Sequence, residues 1–193
     1  MSAENMAAAD EVDCLLVTRF LSGDQNAFNT LFHRHQDYVY HIVLGIIGKP
    51  EEARDAAQEV FIQVYRSLAS FRKGSRFSTW LYRIAVNRAL DCARASQRRR
   101  WFSLEDSHNT LPSREENTDE ALEKDIEKKG IHELLQSVPV QHRDVLVLHY
   151  FQELSMEEIA ETLGCSVSAV KVRLHRARKC FKERYSAIYE DNE

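Results

Sequence analysis

Residues 154–184 restrict the possible folds of this chain more than any other stretch. Ser155-Met156-Glu157-Glu158 carries the Ser-x-x-Glu pattern, in which the two side chains cap each other's backbone N–H groups at a helix start. A short helix is predicted next, with Ile159, Ala160 and Leu163 facing inward. Gly164 suits the left-handed residue that ends it. Ser166-Val167-Ser168 opens a longer helix. Its apolar positions, Val167, Val170, Leu174, Ala177, Phe181, Tyr185 and Ile188, alternate steps of three and four and form one stripe. At about 100° per residue, Lys171, Arg173, His175, Arg176, Lys179 and Lys182 fall on the other arc. Two helices joined by a tight glycine turn, the second basic on its free face, have the form of a helix-turn-helix. A plain helical hairpin with a solvated face carries the same caps. The basic run favours DNA: residues 171–184 hold seven Lys or Arg against one acid, Glu183. Such a helix fits the major groove, where cations meet phosphates or guanine edges.

The rest of the chain agrees with an all-α fold. Its 193 residues contain three prolines and six glycines, few β-type alternations, and 44% hydrophobic residues, enough for two small helical cores. The net charge of −4 argues against a DNA-binding protein that works alone, and the charge is unevenly placed. Cys14, Cys92, Cys165 and Cys180 are scattered, and no pair of histidines sits at helical spacing beside a carboxylate. Neither a disulfide framework nor a metal site is expected. The first residues are polar and acidic, unlike a signal peptide, and the longest apolar run, 38–48, is broken by His41 and too short to span a bilayer. A cytoplasmic protein is expected. No phosphate-cradling glycine loop and no nucleophile elbow occur, so no enzyme activity, cofactor or small-molecule substrate is expected.

In chain order, residues 1–9 read as a loose tail, and 10–21 as a first helix that Ser22-Gly23-Asp24 breaks. Residues 26–47 form a long amphipathic helix whose broad apolar face runs from Phe28 to Ile47. Gly48-Lys49-Pro50 stops it, and Pro50-Glu51-Glu52 starts the next, 51–68, with a proline and acids where a helix N-terminus favours them. One face of that helix buries Ala53, Ala57, Val60, Phe61, Val64 and Leu68. The other carries Asp55, Gln58, Glu59 and Arg66, with Ile62 in their midst. An apolar residue so placed marks either a docking surface or an ordinary exposed side chain. Residues 72–100 hold nine Lys or Arg and one acid, Asp91. There Phe71 and Phe77 flank a short basic loop, and Arg76, Arg83, Asn87 and Arg94 line up at helical spacing. Cations beside aromatics suit an unpaired nucleic-acid strand. Plain core is favoured for Trp80 and a nucleic-acid contact for the Arg–Asn strip. Residues 101–133, with ten acids and four bases, read as an acidic linker between a helical block at 10–100 and a second at 134–190.

Three segments together resemble the sigma-70 family of bacterial sigma factors, in its compact extracytoplasmic-function (ECF) group with only sigma domains 2 and 4. Asp55-Ala56-Ala57-Gln58-Glu59-Val60-Phe61 resembles the polymerase-docking helix. Phe71 through Phe77-Ser78-Thr79-Trp80-Leu81-Tyr82-Arg83-Ile84-Ala85-Val86-Asn87 resembles the −10 recognition and melting segment. Leu154 to Ala160, with Ser168 to Arg178, resembles the −35 reader. The resemblance implies that Asp55, Gln58, Glu59 and Ile62 face the β′ clamp helices of core RNA polymerase, with further contact to β. The loop from Phe71 to Phe77, with Asn87, would hold a flipped −10 base, with Arg76, Arg83 and Arg94 near the phosphates. Lys171, His175 and Arg176 would enter the −35 groove of promoter DNA, and Arg173 would turn to its backbone. The linker would thread the polymerase channel. An anti-sigma factor, membrane-linked, would hold the protein inactive at the inner membrane face until it is released to the nucleoid. The family varies at the positions of Val172 and His175, which leaves the promoter sequence open. From the residues alone, two rivals stand beside this reading: a dimeric helix-turn-helix regulator acting without polymerase, and a helical adaptor that binds no nucleic acid.

Overall fold

The computed structural model describes residues 3–71, 76–103, 130–131 and 133–189, and every regular element among them is helical. The expected acidic linker lies outside these residues from 104 to 129, as do positions 72–75 of the basic loop.

Helix α1, Ala3–Leu21, starts well before the expected position, so residues 3–9 are not a loose tail. The run Met6-Ala7-Ala8-Ala9 consists of strong helix formers, and nothing breaks it. Gly23, at φ 106°, makes the turn, and the Asp24 side chain accepts the N–H of Asn26 to cap α2, Gln25–Ile47. Gly48 closes that helix in the left-handed conformation, and Pro50 opens α3, Pro50–Ser67. A 3-10 turn, Leu68–Ser70, leads toward α4, Phe77–Ser103, which runs past the expected boundary at residue 100.

Helices α1–α4 enclose Leu31, Val39, Ile42, Val43, Ile46, Val60, Val64, Phe77 and Leu81. The buried stripe of α4 includes Phe77 and Leu81. It uses Ala85, Ala89 and Ala93, while Trp80, Ile84 and Cys92 sit at its edge. These alanines let α4 come close to its neighbours. The periodicity also missed His35 and Asp13, which are buried together: His35 Nε2 meets Asp13 Oδ2 at 2.8 Å, and Arg34 Nε donates to Asp13 Oδ1 at 2.8 Å. This joins α1 to α2. Three residues before Asp13, Asp10 accepts the backbone N–H of Phe77 at 3.0 Å and caps the start of α4 from α1.

The second half begins with a helical stretch at 133–137. Helix α5, Val140–Leu146, follows and continues into a π-type turn, Val147–Phe151. Then come α6, Met156–Leu163, and α7, Val167–Tyr189. Leu135, Val138, Val145, Leu148, Ile159, Val170, Leu174 and Ala177 are buried. The α7 stripe holds through Ala177, but Tyr185 is exposed because α7 outruns its core.

The halves touch. Arg143, buried, donates to Ile46 O at 2.9 Å and to Val138 O at 2.8 Å; burial lowers its pKa to about 10. Gln136 Nε2 donates to Gly45 O at 3.1 Å.

Candidate polymerase-docking and promoter surfaces

Three surfaces arise on three helices. On α3, Asp55, Gln58, Glu59 and Ile62 step by three, one and three residues, so they share a face, and all four are exposed. Ile62 is 50% exposed. The sequence reading missed Tyr65, three residues further on and exposed as well. Behind them lies a cavity of about 590 Å³ between α2 and α3, lined by Phe28, Phe32, Gln58, Phe61, Ile62 and Tyr65. Its rings pack edge to face: Phe28 and Tyr65 lie 5.0 Å apart at 89°, and Phe32 and Phe61 4.7 Å apart at 67°. This apolar groove, which Asn29 and Arg66 also line, suits a helical partner with an apolar anchor. Glu59 also pairs with Arg88, which ties this face to α4.

The second surface lies on α4. Arg83, Asn87 and Arg94 are exposed along one strip, and Arg76 precedes it. Phe71 and Phe77 are placed otherwise than the resemblance implied. Both are buried; their rings meet at 5.6 Å and 90°, and Trp80 packs on both. Neither ring is open to a base here, because the three aromatics pack into the core. The arginines are engaged as well. Arg76 Nη1 donates to Glu158 Oε1 at 2.5 Å, and Arg83 Nε donates to Thr162 O at 3.1 Å while its Nη2 donates to Glu161 O. Arg94 lies 3.9 Å from Asp91.

The third surface is the helix-turn-helix. The capping box forms: Ser155 Oγ accepts the Glu158 N–H at 3.2 Å, and Glu158 accepts the Ser155 N–H at 2.9 Å. Burial alone pushes the Glu158 carboxyl up, but the Ser155 N–H and hydroxyl with the Arg76 guanidinium outweigh it and hold the group below its ordinary value. Gly164, at φ 64°, makes the turn, and Ser166 Oγ accepts the Ala169 N–H to start α7. Lys171, Val172, His175 and Arg176 are exposed on one face of α7. Arg173 points elsewhere. Its Nη2 donates to the buried Asp144 at 2.6 Å, binding α7 to α5 rather than reaching toward a DNA backbone. Desolvation raises the Asp144 pKa, and Arg173 pulls it partly back. Val172, 50% exposed, adds an apolar spot that suits a thymine methyl group.

Among the described residues, no cluster of metal-ligating side chains occurs, and no helix is long and apolar enough to cross a membrane. Cys92, Cys165 and Cys180 are free thiols.

Two all-helical units, the second carrying a basic helix-turn-helix, coincide with two family descriptions: "Sigma-70 region 2" matches residues 31–100 and "Sigma-70, region 4" matches residues 128–181. Curated relatives extend the likeness over most of the chain. RNA polymerase sigma-H factor of Pseudomonas aeruginosa is 36% identical, covering 88% of this chain and 91% of its own length. The ECF RNA polymerase sigma-E factor of Escherichia coli is 36% identical over 91% of this chain and 95% of its own. SigW of Bacillus subtilis, also an ECF sigma factor, is 33% identical over 83% and 90%. The chain therefore belongs to the ECF RNA polymerase sigma factors of the sigma-70 family. Among solved structures, CnrH in complex with the cytosolic domain of CnrY matches with TM-score 0.68 at 25% identity, over 91% of this chain and 98% of that one. The sigma factor RpoE of Bartonella quintana, in complex with the anti-sigma factor NepR, shares the fold with TM-score 0.63 at 19% identity, over 82% and 96%.

Proposed function

We propose that the chain binds core RNA polymerase and directs transcription from its own set of promoters by reading a −35 duplex and opening a −10 element. What supports this most is the separation of three exposed faces of different chemistry on α3, α4 and α7. Asp55, Gln58, Glu59 and Ile62, with Tyr65, dock the β′ clamp helices. Lys171, Val172, His175 and Arg176 enter the −35 major groove, while Arg173 keeps α7 in position through Asp144. Asn87 contacts the non-template strand at −10, and Arg76, Arg83 and Arg94 follow its phosphates. Phe71 and Phe77 act as core at the start of α4. The acidic linker occupies the polymerase channel, and contact with β completes the docking. The protein acts in the cytoplasm, at the nucleoid. As the resemblance implies, an anti-sigma factor covers the docking face and holds the protein inactive, at the inner membrane face where that partner is membrane-linked; the similar CnrH is itself in complex with the cytosolic domain of CnrY.

The net charge of −4 fits a factor that borrows its grip from polymerase. Run-off transcription from a promoter library, using sigma-free core polymerase with and without the chain, tests the reading. Defined new start sites are expected only with the chain present. Nanomolar, sequence-specific duplex binding by the chain alone would contradict it.

A further inference from the structure

A cavity of about 530 Å³ lies between α1, α2 and the start of α4 on one side and residues 151–154 with α6 on the other. Buried polar groups in folded proteins nearly always find a hydrogen-bond partner, so those that do not require an account. Among the described residues, five buried side-chain nitrogen or oxygen atoms have none. Three of the five, His35 Nδ1, Gln152 Oε1 and Thr162 Oγ1, belong to residues that line this one cavity. His35 is 7% exposed and Thr162 1% exposed. The three come from α2, a loop and α6, so no single local packing fault produces them.

The three atoms share a chemistry. His35 Nε2 meets the Asp13 carboxylate at 2.8 Å, so the neutral ring donates there and keeps Nδ1 as an acceptor. An amide oxygen such as Gln152 Oε1 only accepts, and the Thr162 hydroxyl accepts as well as donates. A ligand rich in N–H donors satisfies all three.

The charges point the same way. The cavity wall carries four carboxylates, Asp10, Asp13, Glu153 and Glu158, against two guanidiniums, Arg34 and Arg76. Arg34 is taken by Asp13 at 2.8 Å and Arg76 by Glu158 at 2.5 Å. Asp10 and Glu153 are left as the uncompensated charges among the described lining residues. Glu153 is exposed and has a left-handed backbone, φ 53°, which a residue with a side chain adopts at a cost. Tyr38 and Tyr82, also in the wall, stack with centroids 6.3 Å apart at 29°, and ring surface of this kind favours an ammonium group. An anionic ligand would meet two arginines already engaged and a surplus of negative charge.

We propose that this cavity is a binding site for an aliphatic polyamine. Its ammonium groups offset Asp10 and Glu153 and donate to His35, Gln152 and Thr162, and its methylene chain lies along Tyr38 and Tyr82. The chain then has a small-molecule ligand beside polymerase and promoter DNA.

The test uses the full chain and spermidine as the probe, at about 0.15 M salt so that loose counter-ion binding is screened. Amide resonances of Ala9, Thr79, Gln152 and Thr162 are followed by NMR as spermidine is added. Saturable shifts are expected with Kd below about 1 mM. Glu153→Gln removes a charged acceptor and is expected to weaken binding about tenfold; Thr162→Val removes a neutral one and is expected to weaken it about fivefold. Glu115→Gln with Glu116→Gln, in the acidic 101–133 segment, should leave the affinity unchanged. Circular dichroism checks that each variant keeps its helix content, and Glu153 is exposed, so its replacement leaves the core intact. Spermidine shifts confined to residues 101–133 overturn the proposal. So do cavity shifts produced by inorganic phosphate but not by spermidine, or an affinity that both Glu153→Gln and Thr162→Val leave unchanged. The titration needs neither polymerase nor DNA, so its outcome is independent of the function reading.

Discussion

Replacing Arg173 with alanine tests how the helix-turn-helix is held together. Arg173 Nη2 donates to Asp144 Oδ2 at 2.6 Å, and Asp144 Oδ1 accepts the Val145 N–H at 2.7 Å. The partners differ in their access to water: the Asp144 side chain is 1% exposed and that of Arg173 is 34% exposed. Loss of Arg173 strands a buried carboxylate, and removing one partner of a buried ion pair costs about 3 kcal/mol or more. Loss of the Asp144 charge strands only a guanidinium that can turn outward, so Asp144→Asn costs about 1 kcal/mol, close to one hydrogen bond. At about 2–4 °C per kcal/mol for a chain of this size, Arg173→Ala is expected to lower Tm by roughly 6–12 °C and Asp144→Asn by roughly 2–4 °C. The pH dependence has a defined sign. Burial raises the Asp144 pKa, so the folded chain holds that proton more tightly than the unfolded one. The resulting stability is full below the ordinary carboxylate value and is lost as pH rises through the folded value. Arg173 limits this loss, so its removal hurts most near neutral pH, and the gap from wild type narrows toward about pH 4. Melting followed by circular dichroism at both pH values measures this. Equal losses for the two substitutions, or a loss for Arg173→Ala that ignores pH, would refute the reasoning. A purely DNA-facing Arg173 predicts melting close to wild type.

Further outcomes follow from the other surfaces. Ile62→Asp is expected to weaken core polymerase binding by about tenfold or more, because an apolar anchor on a docking face is replaced by an unmatched charge, while melting stays near wild type; competition against a labelled chain measures it. Asn87→Ala should leave polymerase binding intact and reduce −10 opening, read by permanganate reactivity of the promoter. Arg176→Ala should reduce use of −35-dependent promoters without loss of polymerase association, and loss of association instead would break the division between the faces. Ser155→Ala removes the serine half of the capping box and should cost about 1 kcal/mol, seen as a modest fall in Tm.

The signals that the sequence carried well were local ones. Ser155, Glu158 and Gly164 fix α6 through caps and a left-handed turn that involve only near neighbours, and each forms as read. Asp24, Gly48 and Pro50 bound α2 and α3 in the same way. The exposed faces of Asp55 to Ile62 and of Lys171 to Arg176 also follow from spacing along single helices. Two of the misses, Arg173 and His35, involve distant partners. Arg173 has the spacing of an exposed cation, but its partner Asp144 lies on another helix. Phe71 and Phe77 frame a basic loop and so suggested stacking, yet each finds the other and Trp80 first. On α4, Ala85, Ala89 and Ala93 gain from close approach what bulkier neighbours gain from area, a difference that a hydrophobic count does not register. His35 counts as polar in any pattern and becomes core only once Asp13 faces it. Tyr65, three residues past Ile62, was within reach of the same periodicity that found the docking face.

The carboxylate of Asp10 spans 67 positions of sequence to hold the first N–H of α4. The amino-terminal helix is thus a splint for a distant helix start as well as a wall of its own bundle. A bulky fusion or a clipped segment at that end would loosen the start of α4 while leaving the helix-turn-helix untouched, so epitope tags on this chain belong elsewhere.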